Sequence, residues 1–204
     1  MSAYDAGAFG SGGIGALASV SIDLYTTAYR VSGTIETRFG RVTEILNQLS
    51  GGHLTVLQAM ITEHADPGST LTTPSALVAV DEVLFMVATD LTGTSNEMRI
   101  PKRPVRAQLA IPPFRMTGTI HVPMGSRPVD GLLHGVDQFV AMTDAALASA
   151  LHPHLDRTAQ VVALRRGGAQ VVLVADDETP DVLLVEVVDE RTTGAWLGTE
   201  EDAS

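Results

Sequence analysis

His152-Pro153-His154, with Asp156 close behind, is the densest set of metal-type donors in the chain. In an extended loop, residues i and i+2 can point the same way. Two imidazoles and a carboxylate would then offer nitrogen and oxygen to a weakly held divalent ion, once a third histidine such as His121 or His134 converges on them. A second set is acidic, Asp176-Asp177-Glu178. Paired carboxylates do general acid–base work where an enclosed pocket separates their pKa values, whereas these lie in an acidic run that water solvates. Gly10-Ser11-Gly12-Gly13-Ile14-Gly15 has the G-x-G-x-x-G spacing of a dinucleotide loop. Such a loop needs a strand before it and a helix after it. Here only nine residues precede it and a strand follows, so it reads as a Gly-rich tail. Ser, His and Asp are present without a nucleophile elbow, and there is no P-loop. The expectation is a protein with no cofactor and no catalytic chemistry. A metal-assisted or small-molecule enzyme is the alternative that the His152 cluster keeps open.

The elements that position these residues belong to a 204-residue chain with 45% hydrophobic residues and no Cys. That is apolar enough for a packed core and leaves no disulfide, thiolate metal site or thiol nucleophile. No apolar run reaches the ~18–20 residues of a spanning helix, and no basic start leads into an apolar signal region, so a cytoplasmic protein without membrane insertion is expected. The net charge of -11 is uneven. Residues 176–204 hold ten acids against the single base Arg191. Polyanions are bound largely through Lys and Arg, so the whole protein is not expected to be drawn to nucleic acid. One stretch has the opposite sign: Arg99, Lys102, Arg103, Arg106 and Arg115 share residues 99–115 with four prolines and no acid. Those prolines forbid a continuous helix. This basic stretch reads as a connection running into a strand, and it could dock the acidic end of its own or a neighbouring chain.

An internal repeat organises the rest. Tyr29-Arg-Val-Ser-Gly33-Thr34-Ile35 matches Phe114-Arg-Met-Thr-Gly118-Thr119-Ile120 at an offset of 85. The same offset lays Leu54–Ala59 on Phe139–Asp144 by apolar pattern, and Leu77–Val80 resembles Val161–Leu164 at 84. Each copy reads as short strands. Ser19–Tyr25 alternates apolar and polar residues. Tyr29–Thr37 carries a Gly that suggests a bulge, and Val42–Leu49 has helical spacing. His53–Thr62 is a strand, followed by turn residues at Asp66–Ser69. Leu77–Val80 and Val83–Ala88 are strands joined by a hairpin or sharp bend. In the second copy Val105–Ile111, Phe114–Val122, Gln138–Ala146, Val161–Leu164 and Gln170–Val174 are strands, and Arg127–His134 is a short helix or loop. The last two strands are read as a hairpin whose Gly167-Gly168 supplies positive backbone angles. Five short bent strands with a bulge Gly make a small barrel. The chain divides into a tail at 1–18, a first barrel at 19–91, a linker at 92–102, a second barrel at 103–176 and an acidic extension at 177–204. That extension holds one more strand, Val182–Val188, where Val182, Leu184, Glu186 and Val188 are assembly candidates for an edge or another chain.

This order of motifs resembles the Sm-like fold of bacterial Hfq and the Lsm proteins, and a family of bacterial Sm-like proteins, here in two tandem copies. The likeness spans roughly residues 19–90 and 103–176. Gly118, then Asp137-Gln138-Phe139-Val140, is similar to the first Sm block, with Ala141 in place of its Asn. Val161–Val172 across Arg166-Gly167 is similar to the second. The first copy has His53-Leu54 and Asp81-Glu82 at those places. The resemblance implies two small all-β barrels and assembly by pairing of barrel edges, so that three copies of the chain would make a pseudo-sixfold ring and the chain would act as a scaffold or adaptor. It also implies, as an alternative, RNA bound by the second copy through Phe139, Arg166 and Gly167.

Overall fold

The computed structural model describes residues 17–49, 51–89, 101–133 and 135–174. The fold is all-β, and the described strands form one open antiparallel sheet. In the first half they are β1 (Ala18–Tyr25), β2 (Tyr29–Thr37), β3 (His53–Glu63), β4 (Thr70–Ala79) and β5 (Phe85–Ala88), with the short helix α1 (Val42–Gln48) between β2 and β3. In the second half they are β6 (Lys102–Ile111), β7 (Phe114–Pro123), β8 (Phe139–Ala148), β9 (Arg157–Arg165) and β10 (Val171–Val174), with helix α2 (Pro128–Leu133) between β7 and β8. The strand order is β10-β6-β7-β8-β9-β5-β1-β2-β3-β4. Each half therefore has the same internal order, with its fifth strand beside its first and its fourth at the far side. The halves meet where β5 lies against β9.

The duplication extends to irregularities. The β2–β3 register shifts between Ser32 and Thr34, and the β7–β8 register shifts between Thr117 and Thr119. Each shift has a glycine at its centre. A Cβ on Gly33 would stand 2.6 Å from the Leu57 carbonyl oxygen, and one on Gly118 would stand 2.7 Å from Met142 Cγ. The facing strands carry Gln58 (φ 49) and Asp144 (φ 51) at matching places, 86 residues apart. The repeat therefore runs at 85 residues through the first two strands and at 86 beyond the helix. This places His53 with Phe139 and Val78 with Leu164, one and two residues from the sequence match. The helix-to-strand loop absorbs the extra residue.

The link at Asp81-Glu82 is the sharp bend of the two alternatives rather than a hairpin, and the hairpin expected at Arg165–Gly168 is a crossing instead. β4 pairs with β3 while β5 pairs with β1, and β9 pairs with β8 and β5 while β10 pairs with β6. A single 3-10 turn makes each crossing, at Val80–Glu82 and at Arg166–Gly168. Positive glycine angles occur at Gly51 and Gly125, so Gly167 and Gly168 do not supply the tight hairpin expected of them.

Two apolar cores lie on the sheet, and each borrows from the other half. The first includes Ile22, Leu24, Ile35, Leu46 and Val56, together with Phe139 and Ala163 from the second half. The second includes Leu109, Met116, Ile120, Met142 and Leu164, together with Tyr25, Phe85 and Val87 from the first. β5 and the Val162–Leu164 stretch of β9 are covered on both faces, and for that reason they read as short apolar runs rather than as alternating strands.

Candidate functional site: a strand junction and the two free ends of the sheet

The junction is built from a short ladder. Phe85 pairs with Leu164, Met86 with Ala163 and Val87 with Val162. The Arg165 N–H donates to the Leu84 carbonyl at 2.8 Å. Rings fill the second-core side: Phe85 stacks on Tyr25 at 4.4 Å and meets Phe114 edge-on at 5.0 Å. Asn47, near the end of α1, closes the other side. Its Nδ2 donates to the Phe139 carbonyl at 3.0 Å, and its Oδ1 accepts from the Phe139 N–H at 2.7 Å. A helix side chain thus acts as a substitute strand for the first residue of β8.

An ion-pair cluster crosses the seam. Asp23 on β1 accepts from Arg157 of β9 at 2.6 Å, from Arg30 at 2.9 Å and from Ser32 at 2.5 Å. Burial by itself would raise the Asp23 carboxyl, but the bonds from Ser32 and Arg157 and the Arg30 charge overcome that and hold it below its ordinary value. Arg157 also donates to the Tyr25 hydroxyl at 3.1 Å. Its burial is outweighed by these partners, and its pKa is raised.

Among the described residues the sheet ends in the two strands that correspond to this junction, β4 and β10. Val171 pairs with Ala110 as Phe85 pairs with Tyr25, so β10 is the counterpart of β5. Leu54 pairs with Val78 as Val140 pairs with Leu164, so β4 is the counterpart of β9. β10 is another unbroken apolar run, yet Val171 is 53% and Leu173 46% exposed. On β4, Leu77 is 70% exposed, while its counterpart Ala163 is fully covered. Side chains at the counterpart positions are less polar than at the junction: Gln108 replaces Asp23, Leu71 replaces Arg157 and Ala110 replaces Tyr25. The Gln108 Oε1 is buried and has no hydrogen-bond partner among the described residues. Tyr29 on β2, the counterpart of Phe114, is exposed.

The residues singled out by sequence are placed as follows. Phe139 is 1% exposed and packs in the first core, so its ring presents no face on which a base could stack. Arg166 is half-buried. Its guanidinium donates to the Gly135 carbonyl, and burial lowers its pKa against the opposing pull of Asp137. Gly167 lies exposed in the crossing turn, with open space around it. His152 and His154 have ring centres 6.0 Å apart, but Asp156 turns away to accept from the Ser149 N–H at 2.8 Å. Among the described residues no group of three His, Asp or Glu is arranged to hold a metal ion. Val182, Leu184, Glu186 and Val188, the Gly10–Gly15 loop and the acids at 176–178 lie outside the described residues.

Sequence reasoning passed over Asp23, Asn47, His64 and Arg157. Asp23 and Arg157 are 134 positions apart, and Asn47 and Phe139 are 92 apart. A lone polar residue with so distant a partner leaves no local pattern. The polar face of β1 was legible, but not what it meets.

No protein-family model, curated protein or solved structure matches the chain. The geometry itself defines an all-β chain of two like-ordered five-stranded units joined edge to edge. No described helix is long and apolar enough to cross a membrane.

Proposed function

We propose that the protein is a non-catalytic scaffold that assembles with copies of itself, its two halves acting as Sm-like units. β10 of one copy adds to β4 of the next as β5 adds to β9 within the chain. One observation carries this reading: β10 has the composition of a strand covered on both faces, but one of its faces is open. Among the described residues the outer N–H and C=O groups of both end strands have no further strand beside them and are pairing templates. Because the two ends differ, addition is head-to-tail, and such contacts close into a ring or continue as a filament. Three copies would make the pseudo-sixfold ring that the resemblance implies.

The internal junction fixes the expected register. Transposed by the repeat, Phe85↔Leu164, Met86↔Ala163 and Val87↔Val162 become Val171↔Val78, Val172↔Leu77 and Leu173↔Ala76 between copies. The chain has no Cys, so engineered thiols would report this register without background. A chain carrying Ala76→Cys with Leu173→Cys should form disulfide-linked multimers on mild oxidation, whereas Ala76→Cys with Leu84→Cys should not. Light scattering should give one discrete multiple of the 21.5 kDa chain. A mass equal to a single chain across the micromolar range would refute the proposal.

A further inference from the structure

A histidine from each half meets at the seam. His64, just beyond β3, is 2% exposed. Its Nε2 faces the Thr26 carbonyl at 3.0 Å. A carbonyl only accepts, so Nε2 carries the hydrogen and donates it. The other nitrogen, Nδ1, is buried without a partner among the described residues. From the second half, the His152 ring lies 5.7 Å from His64, and His154 lies 6.0 Å beyond His152. The edge of this cluster packs against Phe114 of β7 at 5.4 Å.

The other titratable groups facing His64 offer no compensation. Tyr25 of β1 is 6.3 Å away, and its hydroxyl is engaged by Arg157. Glu63 and Tyr29 line, with His64 and His152, a cavity of about 250 Å³, yet among the described residues no carboxylate reaches the buried Nδ1. A proton added there would find no acceptor and would set a cation beside two more imidazoles. Burial lowers the His64 pKa; the Thr26 bond opposes this, and the charges of His152 and His154 add to it.

We propose that His64, His152 and His154 form an acid-released latch across the seam between the two units. With His64 neutral, the tilted contact of its ring with His152 holds the loop after β3 against the loop before β9. Protonation of His64 in acid parts the two loops and loosens the β5–β9 ladder. An opened His64 takes up its proton near the ordinary histidine value of about 6.5, whereas the closed one resists it. Opening therefore becomes more favourable as pH falls, by about tenfold for one coupled proton at one pH unit below that value. The seam lies within one chain, so the latch is independent of assembly between chains.

Amide hydrogen exchange at pH 7.5 and pH 5.5, corrected for the intrinsic rate, tests this. The Arg165 amide, which bonds to Leu84 across the seam, should open about tenfold more often at pH 5.5. The Gln170 amide, which bonds to Ala110 at the far end of the sheet, should not respond. The His64→Phe variant keeps an aromatic ring without the titration and should lose the pH response at Arg165. An equal response in the variant, or none in the wild type, overturns the latch. Should the variant fail to fold, the imidazole titration of His64 in the wild-type chain decides: a midpoint clearly below 6.5 is expected, and one at or above 6.5 overturns it.

Discussion

Replacing Asn47 by alanine tests whether the two halves are held as tightly as the junction suggests. The N–H and C=O of Phe139 point away from β9, because the neighbouring bond runs from the Arg166 N–H to the Gln138 carbonyl. The β7–β8 ladder begins at Ile120↔Met142, so β7 does not pair with Phe139. Among the described residues Asn47 alone satisfies both groups, at 3.0 and 2.7 Å. Removing its amide leaves a donor and an acceptor without their partner, each costing about 1–3 kcal/mol when buried. The site is partly buried, so the sum expected for Asn47→Ala is about 2–4 kcal/mol. With a urea slope of about 2–3 kcal/mol/M, the denaturation midpoint should fall by about 1 M. Asn47→Asp should do no better than alanine. It still accepts from the Phe139 N–H, but its second oxygen faces the Phe139 carbonyl, and its charge sits at the unfavourable end of α1. A loss below about 0.5 kcal/mol for Asn47→Ala would place it with ordinary surface changes and refute the substitute-strand account.

Three further outcomes follow from the same geometry. Gly33→Ala should cost about 1–3 kcal/mol, as overpacking does, and more than Gly118→Ala. The first meets the Leu57 backbone oxygen at 2.6 Å, whereas the nearest backbone oxygen to the second, that of Thr143, stands at 2.9 Å behind the Met142 side chain at 2.7 Å; thermal midpoints that reverse this order would contradict the reading. Phe85→Ala removes a fully covered ring shared with the other half and should cost about 3–5 kcal/mol by denaturant titration. A loss under about 1 kcal/mol would mean that the junction is loosely packed. Asp23→Asn should destabilise the protein at neutral pH, and its deficit should shrink in acid. The folded-state pKa of Asp23 lies below the ordinary value of 3.8, so its contribution is complete above that value and is lost as pH falls through the folded pKa. A deficit that stays constant down to pH 2.5 in urea titrations would exclude a titrating Asp23 as its source.

How much of this was written locally can be judged strand by strand. The repeat was visible at Tyr29–Ile35 and Phe114–Ile120 because a glycine is needed where the two strands cross closely. β5 and the Val161–Leu164 end of β9 were visible as apolar runs. β4 was seen only over its last turns, since Thr70–Ser75 lies on an edge with little burial and alternation has no core to report. Pro74 within it is tolerated for the same reason. The second crossing looked like a hairpin, and the first like a hairpin or a sharp bend, because a short polar link between apolar runs does not say which neighbours the strands will choose. The candidate site was the least legible. The acidic and Gly-rich motifs fall outside the described residues, and Phe139 belongs to a core. The groups that do meet at the seam come from opposite halves of the chain.

The exchange of rings between the two cores has a further consequence. A protease nick between β5 and β6 would not release two sound pieces. The first would lack the Phe139 ring that fills its interior, and the second would lack Phe85 and Tyr25. What began as a doubled module now behaves as a single cooperative body, and neither copy can be spared without hollowing the other.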